Sequence, residues 1–224
     1  MVGIDFDCKL LMSDAAHGTV VSVSWKLRSI MRSRRFFCDA DMVLNHKSHI
    51  LSFIEYRTPG IYHACESILC RLDSVQRHFL GELGVSEVDA LLIFNLAPLP
   101  SRRDMAMLGV IRRCVLGYGP EQLRQFFRHD SGYVATRSRS GQRRHGKQLI
   151  DPRGPRFSER LRRSALGLVA VYNLLPQSVV DSFSVSSFQS QLQAMLREQA
   201  QHTQQWGSLF SPRIPLYCHP LLSF

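Results

Sequence analysis

The apolar positions of this chain recur mostly at helical spacing. From Thr58 to Leu83, Ile61, Cys65, Ile68, Leu72, Val75, Phe79 and Leu83 follow one another at intervals of four and three, which places them on one face of a helix. Glu66, Arg71, Asp73, Arg77 and Glu82 fall largely elsewhere and face water in this reading. Thr58 has N-cap chemistry, Pro59 suits a first helical position because no intrahelical bond needs its missing N–H, and Gly84 supplies a stop. The pattern predicts a core helix over 58–83.

Elements on either side follow from the same logic. Residues 2–10 alternate, with Val2, Ile4, Phe6, Cys8 and Leu10 against Asp5, Asp7 and Lys9, as in a half-buried strand. Ser13 and Asp14 open a helix to about Arg32, with Val20, Val21, Val23, Trp25, Leu27 and Ile30 as its apolar residues. A second helix over 40–56 turns Val43, Leu44, Ile50, Leu51 and Ile54 inward, leaves Lys47 at the edge, and ends before an Arg57-Thr58-Pro59-Gly60 corner. Ser86 with Asp89 has capping-box spacing before Ala90–Phe94, and Asn95–Pro100 breaks that helix. Ser101 and Asp104 repeat the box before Met107, Leu108, Ile111, Cys114 and Val115, with stops at Gly117 and Gly119. Pro120 then opens a short helix anchored by Leu123, Phe126 and Phe127.

Residues 129–157 are poor in apolar side chains and rich in Arg, Ser and Gly, which reads as a basic flexible loop. Beyond it, 158–175 reads as amphipathic helix, with Leu168–Tyr172 also compatible with an extended segment. Phe183 and Phe188 bracket Ser184 at hydrophobic-staple spacing, so the last helix starts there and runs to about Gln205, its Gln-rich half weakly anchored. The expected fold is mainly α, an irregular multi-helix bundle with a short N-terminal strand. Its parts are a helical core at 1–128, the basic loop at 129–157, C-terminal helices packing on the core at 158–205, and an irregular tail at 206–224.

Composition adds a direction. A chain of 224 residues buries enough apolar surface to fold without a cofactor or disulfide. Its net charge is +10, and the stretch from Arg102 to Arg163 alone carries sixteen basic residues against five acidic ones, so the basic character belongs to one segment. The six cysteines form no C-x-x-C pair, and four are expected to be buried and reduced, which suits an intracellular compartment, nucleus or cytoplasm. His63, Cys65, Cys70 and His78 look superficially like zinc ligands, but Cys65 and Cys70 point roughly 140° apart on a continuous helix. No apolar run approaches the length of a membrane span.

Catalytic constellations are lacking. The close aspartate pairs are Asp5 with Asp7 and Asp39 with Asp41, no G-x-S-x-G is present, and Gly117-Tyr118-Gly119 lacks the third glycine of a dinucleotide loop. No catalytic residue, metal ligand or cofactor site is therefore assigned. The positive candidates are cations: Arg137, Arg139, Arg143, Arg144 and Lys147 in the loop, with Tyr133 as a nearby aromatic, and Arg34 and Arg35 after the first helix. Such residues neutralise phosphates in a sequence-independent, salt-sensitive way; the bland alternatives are a solvated charged loop and cations complementing a helix dipole.

Short motifs point the same way. Gly3-Ile4-Asp5-Phe6-Asp7, Glu55-Tyr56, Leu72-Asp73-Ser74-Val75-Gln76-Arg77-His78-Phe79-Leu80, Asn95–Leu99, Arg102-Arg103 and Tyr172-Asn173-Leu174-Leu175-Pro176 with Phe188 and Leu192 occur in that order. Together they resemble the thumb-like and post-polymerase region of non-LTR, LINE-like retrotransposon reverse transcriptases. The resemblance implies RNA-directed DNA synthesis in an intact element, with template and primer (RNA or RNA–DNA hybrid) as partners. In that family the motif at Gly3–Asp7 lies just beyond the catalytic palm, so the resemblance also implies a chain that begins in mid-protein; no adjacent Asp-Asp pair is present, and the Mg2+ ions would belong to a palm encoded elsewhere. The competing expectations are a helical protein–protein interaction module and a functionless relic of a transposable element.

Overall fold

The computed structural model describes residue 4 and residues 6–9, 11–132, 145–152, 159–203 and 206–223. The protein is mainly α-helical and divides into two compact units, residues 1–103 and 104–224.

The first unit contains α1 (Ser13–Arg32), α2 (Asp39–His46), α3 (Ser52–Ile61), α4 (Glu66–Leu83), α5 (Glu87–Leu92) and the start of α6 (Leu99–Val115). Its core is built by Val23 and Leu27 of α1, Met42 and Val43 of α2, Ile54 and Ile61 of α3, and Leu69, Leu72, Phe79 and Leu80 of α4. Each such large side chain, fully buried, contributes about 1.5–3 kcal/mol. Among the described residues no strand is present, and residues 4 and 6–9 of the expected one show none. Val2, Gly3, Asp5 and Leu10 lie outside the described residues, Cys8 and Lys9 turn, and Phe6 is exposed. Asp7 instead accepts hydrogen bonds from the backbone N–H groups of Leu11 (2.8 Å) and Met12 (2.6 Å) just ahead of α1, which hold its carboxyl below the usual range.

The expected helix start at Thr58 is displaced. α3 runs through Thr58 and Pro59, and the break falls at Tyr62–Cys65, with Cys65 in extended conformation before α4. Pro59 sits in the last turn of α3, where it removes a single backbone bond. Thr58 bonds back to the Ile54 carbonyl (3.3 Å), and burial of Thr58, Ile61, Tyr62 and Ala64 outweighs that loss. Gly84 does stop α4: at φ 69° it lets Gly84 N–H reach the Gly81 carbonyl and Val85 N–H reach the Leu80 carbonyl, a Schellman arrangement. Ser86 caps α5, accepting from Asp89 N–H at 3.0 Å.

Between α2 and α3 the chain makes a π-helical turn, Lys47–Leu51. The inserted residue rotates α3 about the helix axis by roughly 100°. Met42, Val43 and His46 face inward before it, and Ile54, Thr58 and Ile61 after it. Leu44, expected inward, is 62% exposed, because it lines up with the later face only on an uninterrupted helical wheel. Two polar residues of α4 are buried as well. Gln76 donates to the Ala97 carbonyl (3.1 Å), and Asp73, expected to face water, forms a two-pronged pair with Arg103 at 2.5 and 2.9 Å.

The second unit holds the rest of α6, then α7 (Glu121–Arg124), α8 (Glu159–Arg162), α9 (Leu168–Tyr172), α10 (Gln177–Val180) and α11 (Val185–His202). Of the three expected anchors near α7 only Phe127 is buried; Leu123 and Phe126 are exposed. The expected helix over 158–175 is two short ones. A Cβ on Gly167 would stand 1.8 Å from the Arg162 carbonyl oxygen, so the chain returns on itself between α8 and α9 only with glycine there. Gly167→Ala is therefore expected to destabilise the second unit by about 1–3 kcal/mol, read as a lower urea midpoint; an unchanged midpoint would mean that the close approach is not maintained.

Ser184 caps α11, accepting from Ser187 N–H at 3.0 Å, but Phe183 is 97% exposed, so no hydrophobic staple forms. The second half of α11 is anchored after all, by Met195, Leu196 and Ala200, and the tail packs through Trp206, Leu209, Phe210 and Leu221. The described ends of the basic loop are also tied down. His129 pairs with Leu149, and the Asn173 amide pairs with both backbone groups of Leu149, accepting from its N–H (2.8 Å) and donating to its carbonyl (2.9 Å). His145 and Gln148 are buried beside Tyr172 and Asn173, whose carbonyls they reach at 3.0 Å. Four cysteines were expected inside; Cys114 is buried, Cys65 half-buried, and Cys8, Cys38, Cys70 and Cys218 are exposed, all as free thiols.

Candidate nucleic-acid interface

Two faces of α1 separate by sequence spacing. Ala16, Thr19, Val23 and Leu27 are buried at intervals of three and four. Val21, Trp25, Arg28 and Arg32, at intervals of four and three, share the opposite face and are exposed, Trp25 to 66%. Val21 and Trp25, expected among the apolar residues of this helix, thus do not join its buried side. The signal that separates them is their phase, half a turn away from Val23 and Leu27.

The cationic run continues past the helix. Ser33 ends α1 with its hydroxyl on the Ile30 carbonyl (2.7 Å), and Arg34–Phe36 form a short 3-10 turn. Arg35 lies 4.6 Å from the Phe36 ring centre, and Phe36 and Phe37 are exposed. Arg34 approaches Glu82 of α4 at 4.0 Å with both side chains about half exposed, a pair of at most about 1 kcal/mol that leaves the guanidinium available. Among the described residues, Arg28 and Arg32 have no ion-pair partner. Lys26, on the flank of α1, lies 4.2 Å over the Phe53 ring, which also carries Arg57 at 4.4 Å.

Hollows lie on both sides of this face. One, of about 700 Å³, opens between α1 and α4, with Leu27, Met31 and Val75 below and Arg28, Arg32 and His78 at its edge. The other, of about 440 Å³, is lined by Lys26, Phe37, Asn45 and His49 among others.

The loop candidates have different standing. Arg137, Arg139, Arg143, Arg144 and Tyr133 lie outside the described residues. Lys147 is engaged by Asp181 at 2.7 Å; this bond and one from Gln177 hold the Asp181 carboxyl below the usual range. The backbone N–H of Lys147 donates to His145 Nδ1 (3.2 Å), and burial pushes the His145 imidazole below its ordinary value. Among the described residues no group of three His, Cys, Asp or Glu side chains could hold a metal ion, and no described helix is long and apolar enough to cross a membrane. Asp41, one of the paired carboxylates, accepts from the Cys38 thiol at 3.1 Å at the start of α2.

No protein-family model matches this chain, and no curated protein or solved structure matches it either.

Proposed function

We propose that this chain is a non-catalytic, intracellular nucleic-acid-binding segment, akin to the thumb-like and post-polymerase region of a non-LTR retrotransposon reverse transcriptase, that holds RNA or an RNA–DNA hybrid by the backbone. The observation that carries this reading is the exposed basic run on the outer face of α1 and the turn after it: Arg28, Arg32, Arg34 and Arg35. Guanidiniums directed at solvent, with little or no carboxylate competition, are the chemistry that neutralises phosphates. By sequence, Arg137, Arg139, Arg143 and Arg144 are further candidate cations. Polymerisation, and its Mg2+ ions, would fall to a palm outside these residues.

The reading is tested by fluorescence anisotropy of labelled RNA and RNA–DNA hybrid across about 50 to 200 mM salt. Replacing Arg28, Arg32, Arg34 and Arg35 by Ala is expected to weaken binding similarly for all sequences and to reduce the slope of log K against log salt by about 3. Alanine at the four loop arginines should reduce it further. Unchanged affinity and slope in the α1 variant would remove this face from the interface. A helical protein-interaction module is the second reading, favoured by the exposed Phe36 and Phe37; it predicts no polyanion affinity beyond what net charge alone gives.

A further inference from the structure

We infer that the α1 face takes single-stranded nucleic acid, with phosphates on Arg28 and Arg32 and bases on Trp25 and in the groove between α1 and α4; this rests on the nucleic-acid reading above. Trp25 lies one turn from Arg28 and two turns from Arg32 on the same stripe, and it is 66% exposed in a unit whose core offers it no cover. An open indole with two guanidiniums further along the same stripe gains most from a partner that is flat, apolar on its faces and anionic along its edge. An unpaired nucleotide meets all three conditions. In a duplex the base faces are stacked on one another, so the indole would be left with sugar and phosphate.

The groove argues for the same ligand. At about 700 Å³ it falls within the range of about 300 to 1,000 Å³ usual for sites that take small molecules, and it is too small for a double helix. Val20, Leu27, Met31 and Val75 supply apolar surface for a base face, Ser24, Ser74 and His78 supply polar groups for its edge, and Arg28 and Arg32 line the same groove for its phosphate. Glu82 also lines the groove, weakly paired with Arg34 at 4.0 Å. An acidic peptide would meet the arginines equally well but would stack on Trp25 only through an aromatic side chain, whereas every nucleotide carries a flat base.

The test uses the full chain, a labelled oligouridylate, the same strand annealed to its complement, and inorganic polyphosphate as a polyanion without bases. The single strand is expected to bind about tenfold more tightly than the duplex. Trp25→Ala should lose about tenfold on the single strand and nothing on the duplex, with Trp25→Phe retaining most of the affinity. Ser24→Phe, which fills the groove from its wall, should weaken the single strand alone. Equal binding of single strand and duplex, a Trp25→Ala variant that binds the single strand like the parent, or displacement by polyphosphate at equal charge would overturn the inference. Binding that ignores Arg28 and Arg32 defeats both this inference and the function proposed above. Binding that needs the arginines but ignores Trp25 and strandedness defeats this one alone.

Discussion

Replacing Asp73 by Ala is expected to lower the stability of the first unit by about 3–5 kcal/mol. The Asp73 carboxylate and the Arg103 guanidinium meet through two hydrogen bonds, at 2.5 and 2.9 Å, and both residues are more than nine-tenths buried. Removing the carboxylate takes two hydrogen bonds and an opposite charge from a buried guanidinium, and that loss accounts for most of the effect. The double replacement Asp73→Leu with Arg103→Met should recover most of the loss, since two apolar side chains of similar volume leave no charge behind. Amide exchange of α4 under increasing urea measures both. A loss below about 1 kcal/mol in the single variant would show the pair to be solvated and its burial unimportant.

Acidification is expected to weaken the same unit through His46. The imidazole is fully buried, stacked on Phe79 with ring centres 4.3 Å apart, and among the described residues neither ring nitrogen has a hydrogen-bond partner. Burial, reinforced by the positive charges of Arg102 and Lys47, pushes its pKa down from 6.5 to about 4. The unfolded chain therefore takes up this proton first as the pH falls. Stability contributed by neutral His46 is fully present above pH 6.5, declines between 6.5 and about 4, and the total loss is about 3 kcal/mol. His46→Phe keeps a ring against Phe79 without a titrating group, so it should flatten the dependence of α2 and α4 exchange on pH across that window. An equally steep dependence in the variant would place the acid-sensitive group elsewhere.

Chemistry acting over a few residues is legible in the sequence. Ser86, Ser184 and Gly84 end or begin helices through bonds to backbone groups three or four positions away, which residue type and spacing point to; the same box at Ser101 and Asp104 falls inside α6, which begins two residues earlier at Leu99. Asp73 and Asn173 are not legible in the same way, because their partners, Arg103 and Leu149, are distant in the chain and only folding brings them near. Pro59 misleads for a related reason: local propensity favours a helix start there, while the buried side chains on both sides hold the chain helical through it. At the candidate interface, Arg34 and Arg35 are legible as charge. Trp25 is harder to single out, because its apolar character suggests an inward position while its phase places it with Arg28 and Arg32.

The π-helical turn at Lys47–Leu51 makes chain length, as well as side-chain identity, a determinant of what the first unit buries. Deleting a single residue within the turn would leave every side chain of α3 chemically unchanged, yet it would carry Ile54, Thr58 and Ile61 away from the core by roughly a quarter of a revolution. A length change elsewhere in an exposed connection is absorbed by slack, whereas here it would act like several simultaneous core substitutions. The turn is thus constrained twice, by the burial of Ile50 and Leu51 within it and by its length.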